Sequence, residues 1–166
     1  MVLSKSELIA SLQHEVHVLL HLAGKIDRAQ LDYRPTPKQR STLELLRYLS
    51  FMGPVMIESA KRGTFDPALW NAAEQPVKAA DFDQAVATIA TLRDAFATSL
   101  GAWSDDDFRV EIEMFGRKST RGAFIVSNVL NAHAAYRMQL FLYLKACGRE
   151  ELNTMNLWAG IDAPMP

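Results

Sequence analysis

A chain of 166 residues, 49% of them hydrophobic and 22% charged, is long enough to fold as one domain, spanning residues 1–166, around a substantial core. Its formal net charge of −1 and its scattered Lys and Arg residues exclude an electrostatic footprint for nucleic acid or an anionic membrane. No apolar run approaches the ~20 residues that cross a bilayer, "MVLSKSELIASLQHEVHVLL" lacks a secretory-signal pattern, and the lone Cys147 excludes an internal disulfide framework, so a cytoplasmic protein is expected.

The first helix starts at Ser4, with Glu7 three residues later in a capping box. Leu8, Ile9, Leu12, Val16, Leu19, Leu20, Ala23 and Ile26 share one broad face. "HEVHVLLH" places His14, His17 and His21 on the opposite face, within a sector of about 60°. These imidazoles therefore point away from the core, towards solvent or a partner subunit. The segment is not an H-E-x-x-H zinc signature, because Val18 stands four residues after His14.

"LDYRPTPKQRST" reads as a loop, after which Ser41 and Glu44 form a second capping box. The helix that follows carries Leu45, Leu49, Met52 and Met56 inward, and Gly53-Pro54 is expected to kink it without ending it. Residues 63–80 lack a clean period and read as the longest connection. Asp81 and Gln84 open a third helix carrying Val86, Ile89, Phe96 and Leu100. "DFRVEIEMFG" alternates with period two, which predicts a short strand or hairpin turned by Gly116. The last helix runs from about Thr120 to Cys147, with Gly148 placed to stop it, and Leu157, Trp158 and Ile161 are expected to cover the bundle end. Four long amphipathic helices with one long crossover make an all-α four-helix bundle.

Polar residues on an apolar helix face mark where chemistry could reside. The last helix points Val126, Val129, Leu130, His133, Tyr136, Arg137, Leu140 and Leu144 inward. A buried guanidinium needs a counter-charge. An acid such as Glu44, Glu58 or Asp94 would give Arg137 a structural role, and a bound anion would give it a functional one. His133 reads either as a hydrogen-bonded core residue or as part of a pocket, and Tyr48 is expected to turn its hydroxyl to the same place. No phosphate loop, Ser-His-Asp order, CxxC or paired carboxylates at metal spacing appears.

"HAAYRMQLFLYLKACG" resembles the last-helix signature of DinB-like proteins, and "RPTPKQRSTLELLRYLS" resembles the start of that family's second helix. The resemblance covers roughly residues 8–148 in order of elements. It implies an up-down-down-up four-helix bundle, often a homodimer, with a nickel or zinc site of three histidines. Some relatives are thiol-dependent S-transferases. In this sequence the implied ligand positions hold Tyr48, Ala132 and Tyr136, with His133 one residue out of register. Alanine has no donor atom, neutral tyrosine is a poor ligand for these metals, and a one-residue slip turns a helical side chain by about 100°.

Two readings of function follow. In the first, no metal cofactor is used, and Tyr48, His133, Tyr136 and Arg137 line a polar pocket for a small polar or anionic molecule. In the second, His133 anchors an atypical divalent-metal site, nickel or zinc, in an enzyme of the S-transferase type. A homodimer is expected in either case, and the histidine-bearing face of the first helix is a candidate for its interface.

Overall fold

Local capping signals are realised at the start of each long helix that the sequence marks with them. In α1 (Lys5–Ala23) the Ser4 hydroxyl accepts from the Glu7 backbone and the Glu7 carboxylate accepts from the Ser4 backbone. The same reciprocal box opens α2 (Thr42–Arg62) through Ser41 and Glu44, and α4 (Phe82–Gly101) through Asp81 and Gln84. Each box satisfies two of the backbone donors that a helix start leaves open. The computed structural model describes residues 3–162.

Between α2 and α4 lies an element that the apolar pattern does not announce. Residues 63–80, expected as a connection, contain the twelve-residue helix α3 (Pro67–Lys78). Asp66 caps it, and Pro67 occupies its first turn, where no backbone donor is lost. None of its residues is buried, which is why it leaves no helical period of apolar residues. Trp70 attaches it to the bundle, packing against Phe51 at 5.0 Å and Tyr48 at 6.0 Å between ring centroids.

The alternating segment also divides differently from expectation. Its first residues belong to a one-turn helix, α5 (Asp105–Arg109), which Ser104 and Asp107 close in another capping box. Alternation then takes over in β1 (Glu111–Met114), which buries Ile112 and Met114 and pairs antiparallel with β2 (Arg117–Thr120). Phe115 and Gly116, at φ 54° and 72°, make the two-residue turn, whose left-handed backbone matches the twist of a hairpin.

The last helix comprises α6 (Arg121–Ile125), a π turn over Val126–Leu130, and α7 (Asn131–Ala146). At the π turn the Asn131 N–H reaches back five residues to the Val126 carbonyl, so the expected uninterrupted α-helix is locally widened. A short helix, α8 (Thr154–Trp158), then crosses the bundle.

Helix α4 packs against α1 and α2, and the last helix closes against the same pair. Leu12, Leu19, Leu45, Leu49, Ile89, Phe96, Ile125 and Leu140 are wholly buried in one continuous core. Helix α2 carries Pro54 without ending, and the residue before it serves a packing purpose. A Cβ on Gly53 would stand 2.8 Å from Phe96 Cζ and 2.9 Å from His133 Cε1. Glycine here lets α2 approach α4 and α7 closely. Among the described residues no helix is long and apolar enough to cross a membrane.

Candidate functional site

The four residues singled out from the sequence occupy three different environments, so they do not line one pocket. Successive residues diverge by about 100° around a helix, and Tyr136 and Arg137 accordingly face different neighbours. Tyr136 meets Tyr48 across α7 and α2, with ring centroids 5.1 Å apart in an edge arrangement. Burial, followed by the neighbouring Tyr136 hydroxyl, pushes the Tyr48 phenol up to about 12, so it stays protonated.

His133 lies in the core at 0% exposure, edge-on to Phe96 with 5.6 Å between centroids. Its Nδ1 lies 2.8 Å from the Val129 carbonyl and donates to it, while Nε2 has no partner among the described residues. Burial holds its pKa below the usual histidine value, against the opposing pull of the Val129 carbonyl. A neutral ring with a single donor fits this enclosure. His133 is a core histidine.

Arg137 faces the other way, towards α1 and α8. Its partner is Glu15, with 3.1 Å between Nε and Oε2, and none of the acids expected from the sequence. Glu44 instead caps α2 and pairs with Arg34, and Glu58 pairs with Arg62. Arg137 is 4% exposed and Glu15 is 7% exposed. The contact is close in charge but is not aligned as a hydrogen bond, leaving both atoms without a hydrogen-bond partner among the described residues. Burial therefore raises the Glu15 pKa despite the adjacent guanidinium and the more distant His14. Arg137 also donates to the Leu157 carbonyl at 2.9 Å and lies 4.9 Å from the Trp158 ring centroid. The sequence holds a sign of Glu15: it falls three residues after Leu12 and four before Leu19, within the apolar face of α1.

The histidine face of α1 does point away from the core, and the chain itself touches it, leaving His14 and His17 exposed and His21 half-buried. His14 Nε2 lies 2.7 Å from the Trp158 carbonyl. Asn156 donates to His21 Nε2 at 3.1 Å, and a Cβ on Gly160 would strike His17 Cδ2 at 2.8 Å. Lys25 completes the contact with a 2.6 Å ion pair to Asp162. Three histidines within eight residues thus serve as a seat for the segment around α8.

A cleft of about 280 Å³ lies between α2 and α3, lined by Arg40, Arg47, Tyr48, Phe51, Glu74 and Lys78 among others. Aromatic contact continues behind its wall, from Tyr48 to Tyr136 and from Phe51 to Trp70. The Arg40 guanidinium lies 3.8 Å from the centre of the Tyr48 ring, and Arg47 Nε donates to the Ala80 carbonyl at 2.6 Å. Neither arginine was selected from the sequence. Their meeting depends on a loop whose path is set by backbone bonds, from Thr42 to the Tyr33 carbonyl and from Leu43 to the Leu31 carbonyl.

The three-histidine metal site implied by the family resemblance does not fit the residues present. Tyr48 is a protonated phenol, Tyr136 packs edge-on against it, and Ala132 offers no donor. Among the described residues no three His, Cys, Asp or Glu side chains are grouped as a metal-binding set, with or without His133.

No family model and no curated protein matches the chain. Among solved structures it is similar to the crystal structure of a DinB-like protein, YjoA, from Bacillus subtilis, at 19% sequence identity and a TM-score of 0.69, covering 88% of this chain and 94% of that one. This chain has the DinB-like fold.

Proposed function

We propose that this protein is a metal-independent DinB-like bundle that binds a small aromatic molecule in the cleft between α2 and α3. The observation that carries the reading is Tyr48. It stands where the resemblance calls for a ligand histidine, and its ring forms a wall of the cleft, backed by Tyr136 and Trp70. A volume of about 280 Å³ suits one ring with a short substituent, near the lower end of ligand pockets, which start at about 300 Å³. Tyr48, Phe51 and Val77 give the cleft an apolar side beside five charged residues, which favours a ligand that stacks and carries polar substituents.

Calorimetric titration with a neutral aromatic probe, benzamide, tests this. After exhaustive dialysis against a chelator the protein should still bind the probe, and Tyr48→Ala should weaken binding at least tenfold. Loss of binding on chelation, restored by nickel or zinc, would overturn the metal-independent reading in favour of a divalent-metal enzyme. Undiminished binding by Tyr48→Ala would remove the cleft as the site.

A further inference from the structure

This inference rests on the cleft being a small-molecule site, and it concerns what that molecule carries. We propose that the ligand bears a phosphate-like dianion next to its ring, and that Arg40 and Arg47 recognise it.

Charge pairing within the cleft points there. Glu74 is engaged by Lys78 at 3.1 Å, and Glu44 by Arg34 at 3.2 Å and by the Ser41 backbone at 2.8 Å. Among the described residues neither Arg40 nor Arg47 has a carboxylate within ion-pairing distance. Three cations and two carboxylates line the cleft; with Glu74 answered by Lys78 and Glu44 by Arg34 from outside the lining, Arg40 and Arg47 are left as the surplus. A phosphate monoester carries about −1.5 to −2 at neutral pH, which matches that surplus better than a monocarboxylate does.

Geometry adds a second argument. The Ala80 carbonyl holds Arg47 through Nε alone, leaving its two terminal nitrogens without a protein acceptor among the described residues. A side chain fixed at Nε presents the remaining fork of donors already oriented, which suits the oxygens of a tetrahedral anion. Arg40 lies against Tyr48 with its plane partly shielded from water, a setting in which a guanidinium can bind an anion and flank a stacked ring together. Arg137 shows the contrast: its charge is already answered by Glu15.

Three probes distinguish the parts of the proposal: phenyl phosphate, benzamide and inorganic phosphate, titrated calorimetrically into the whole protein. Phenyl phosphate should bind at least tenfold more tightly than either of the others. Arg47→Ala should weaken phenyl phosphate at least tenfold more than it weakens benzamide. Arg40→Ala, at an exposed side chain that carries no backbone contact through its guanidinium, should show the same pattern and covers the case in which Arg47→Ala perturbs folding. Lowering the pH from 7.5 to 5.5 crosses the second phosphate ionisation near about 6, so affinity for phenyl phosphate should fall with the fraction of dianion. Equal binding of benzamide and phenyl phosphate, or indifference of phenyl phosphate to both substitutions, would overturn the dianion and leave the aromatic site standing. Inorganic phosphate binding as tightly as phenyl phosphate would overturn recognition of ring and anion together. Failure of both phenyl phosphate and benzamide to bind the unaltered protein would remove the small-molecule site itself.

Discussion

Arg137 and Arg47 sit on opposite sides of the same bundle and meet opposite fates. Arg137 is buried beneath α8, neutralised by Glu15, bonded to the Leu157 carbonyl and covered by Trp158. Arg47 is bonded once, to a backbone carbonyl, and faces an open cleft whose two acids, Glu44 and Glu74, are paired with other cations. A closed guanidinium contributes to cohesion, because removing it strands a buried carboxylate. An open one adds little to stability and keeps its donors for something outside the chain. An arginine on an apolar helix face is the first to attract attention in a sequence, and here it is the structural one.

The largest test of this contrast is Arg137→Ala. It should lower unfolding free energy by about 3–5 kcal/mol, the range for breaking a buried ion pair on one side. Urea unfolding at neutral pH reads the change, and a loss below about 1 kcal/mol would erase the distinction between the two sites.

A smaller effect concerns the core beside that pair. The folded-state pKa of His133 lies below its unfolded value, so the unfolded chain takes up a proton first as pH falls. Stability should therefore be undiminished above pH ~6.5 and decline below it by up to about 1.4 kcal/mol per pH unit until the folded pKa is reached. His21, whose pKa burial also lowers against the opposing charge of Asp162, adds in the same direction. Urea unfolding at pH 7.5, 6.5 and 5.5 measures the slope. NMR titration of the His133 ring should show it still neutral at pH 6, and an ordinary titration near 6.5 would contradict its enclosure.

The smallest effect belongs to the open side. Arg40→Ala should change stability by no more than about 1 kcal/mol, the size of an exposed cation–π contact such as the one it makes with Tyr48. A loss of several times that would make Arg40 a structural residue like Arg137.

Legibility of the fold in the sequence followed how local each signal is. Ser4 with Glu7, Ser41 with Glu44, and Asp81 with Gln84 fixed three helix starts, since a capping box needs only four consecutive residues. Helix α3 escaped because it buries none of its residues and holds to the bundle largely through Trp70. Helix α5 escaped because its single turn is set by Ser104 and Asp107, whereas the run of alternating residues extends across its boundary. The pocket drawn from Tyr48, His133, Tyr136 and Arg137 failed at the level of side-chain direction: spacing places residues on a helix, but the neighbours decide which gap each one fills. Glu15 and Arg137 meet across more than a hundred residues of chain, a distance at which no periodicity carries information. The histidine cluster was correctly separated from the core, but the segment that touches it was not foreseen to do so.

That segment sets an order of events. Its contacts with α1 span 135 residues from His21 to Asn156 and 144 from His14 to Trp158. At a synthesis rate of about 5–20 residues per second, α1 is made roughly 7–29 s before its cover exists. Throughout that interval His21 and Glu15, which the finished fold covers in part or in full, stand in water. The first helix made is thus among the last to be finished.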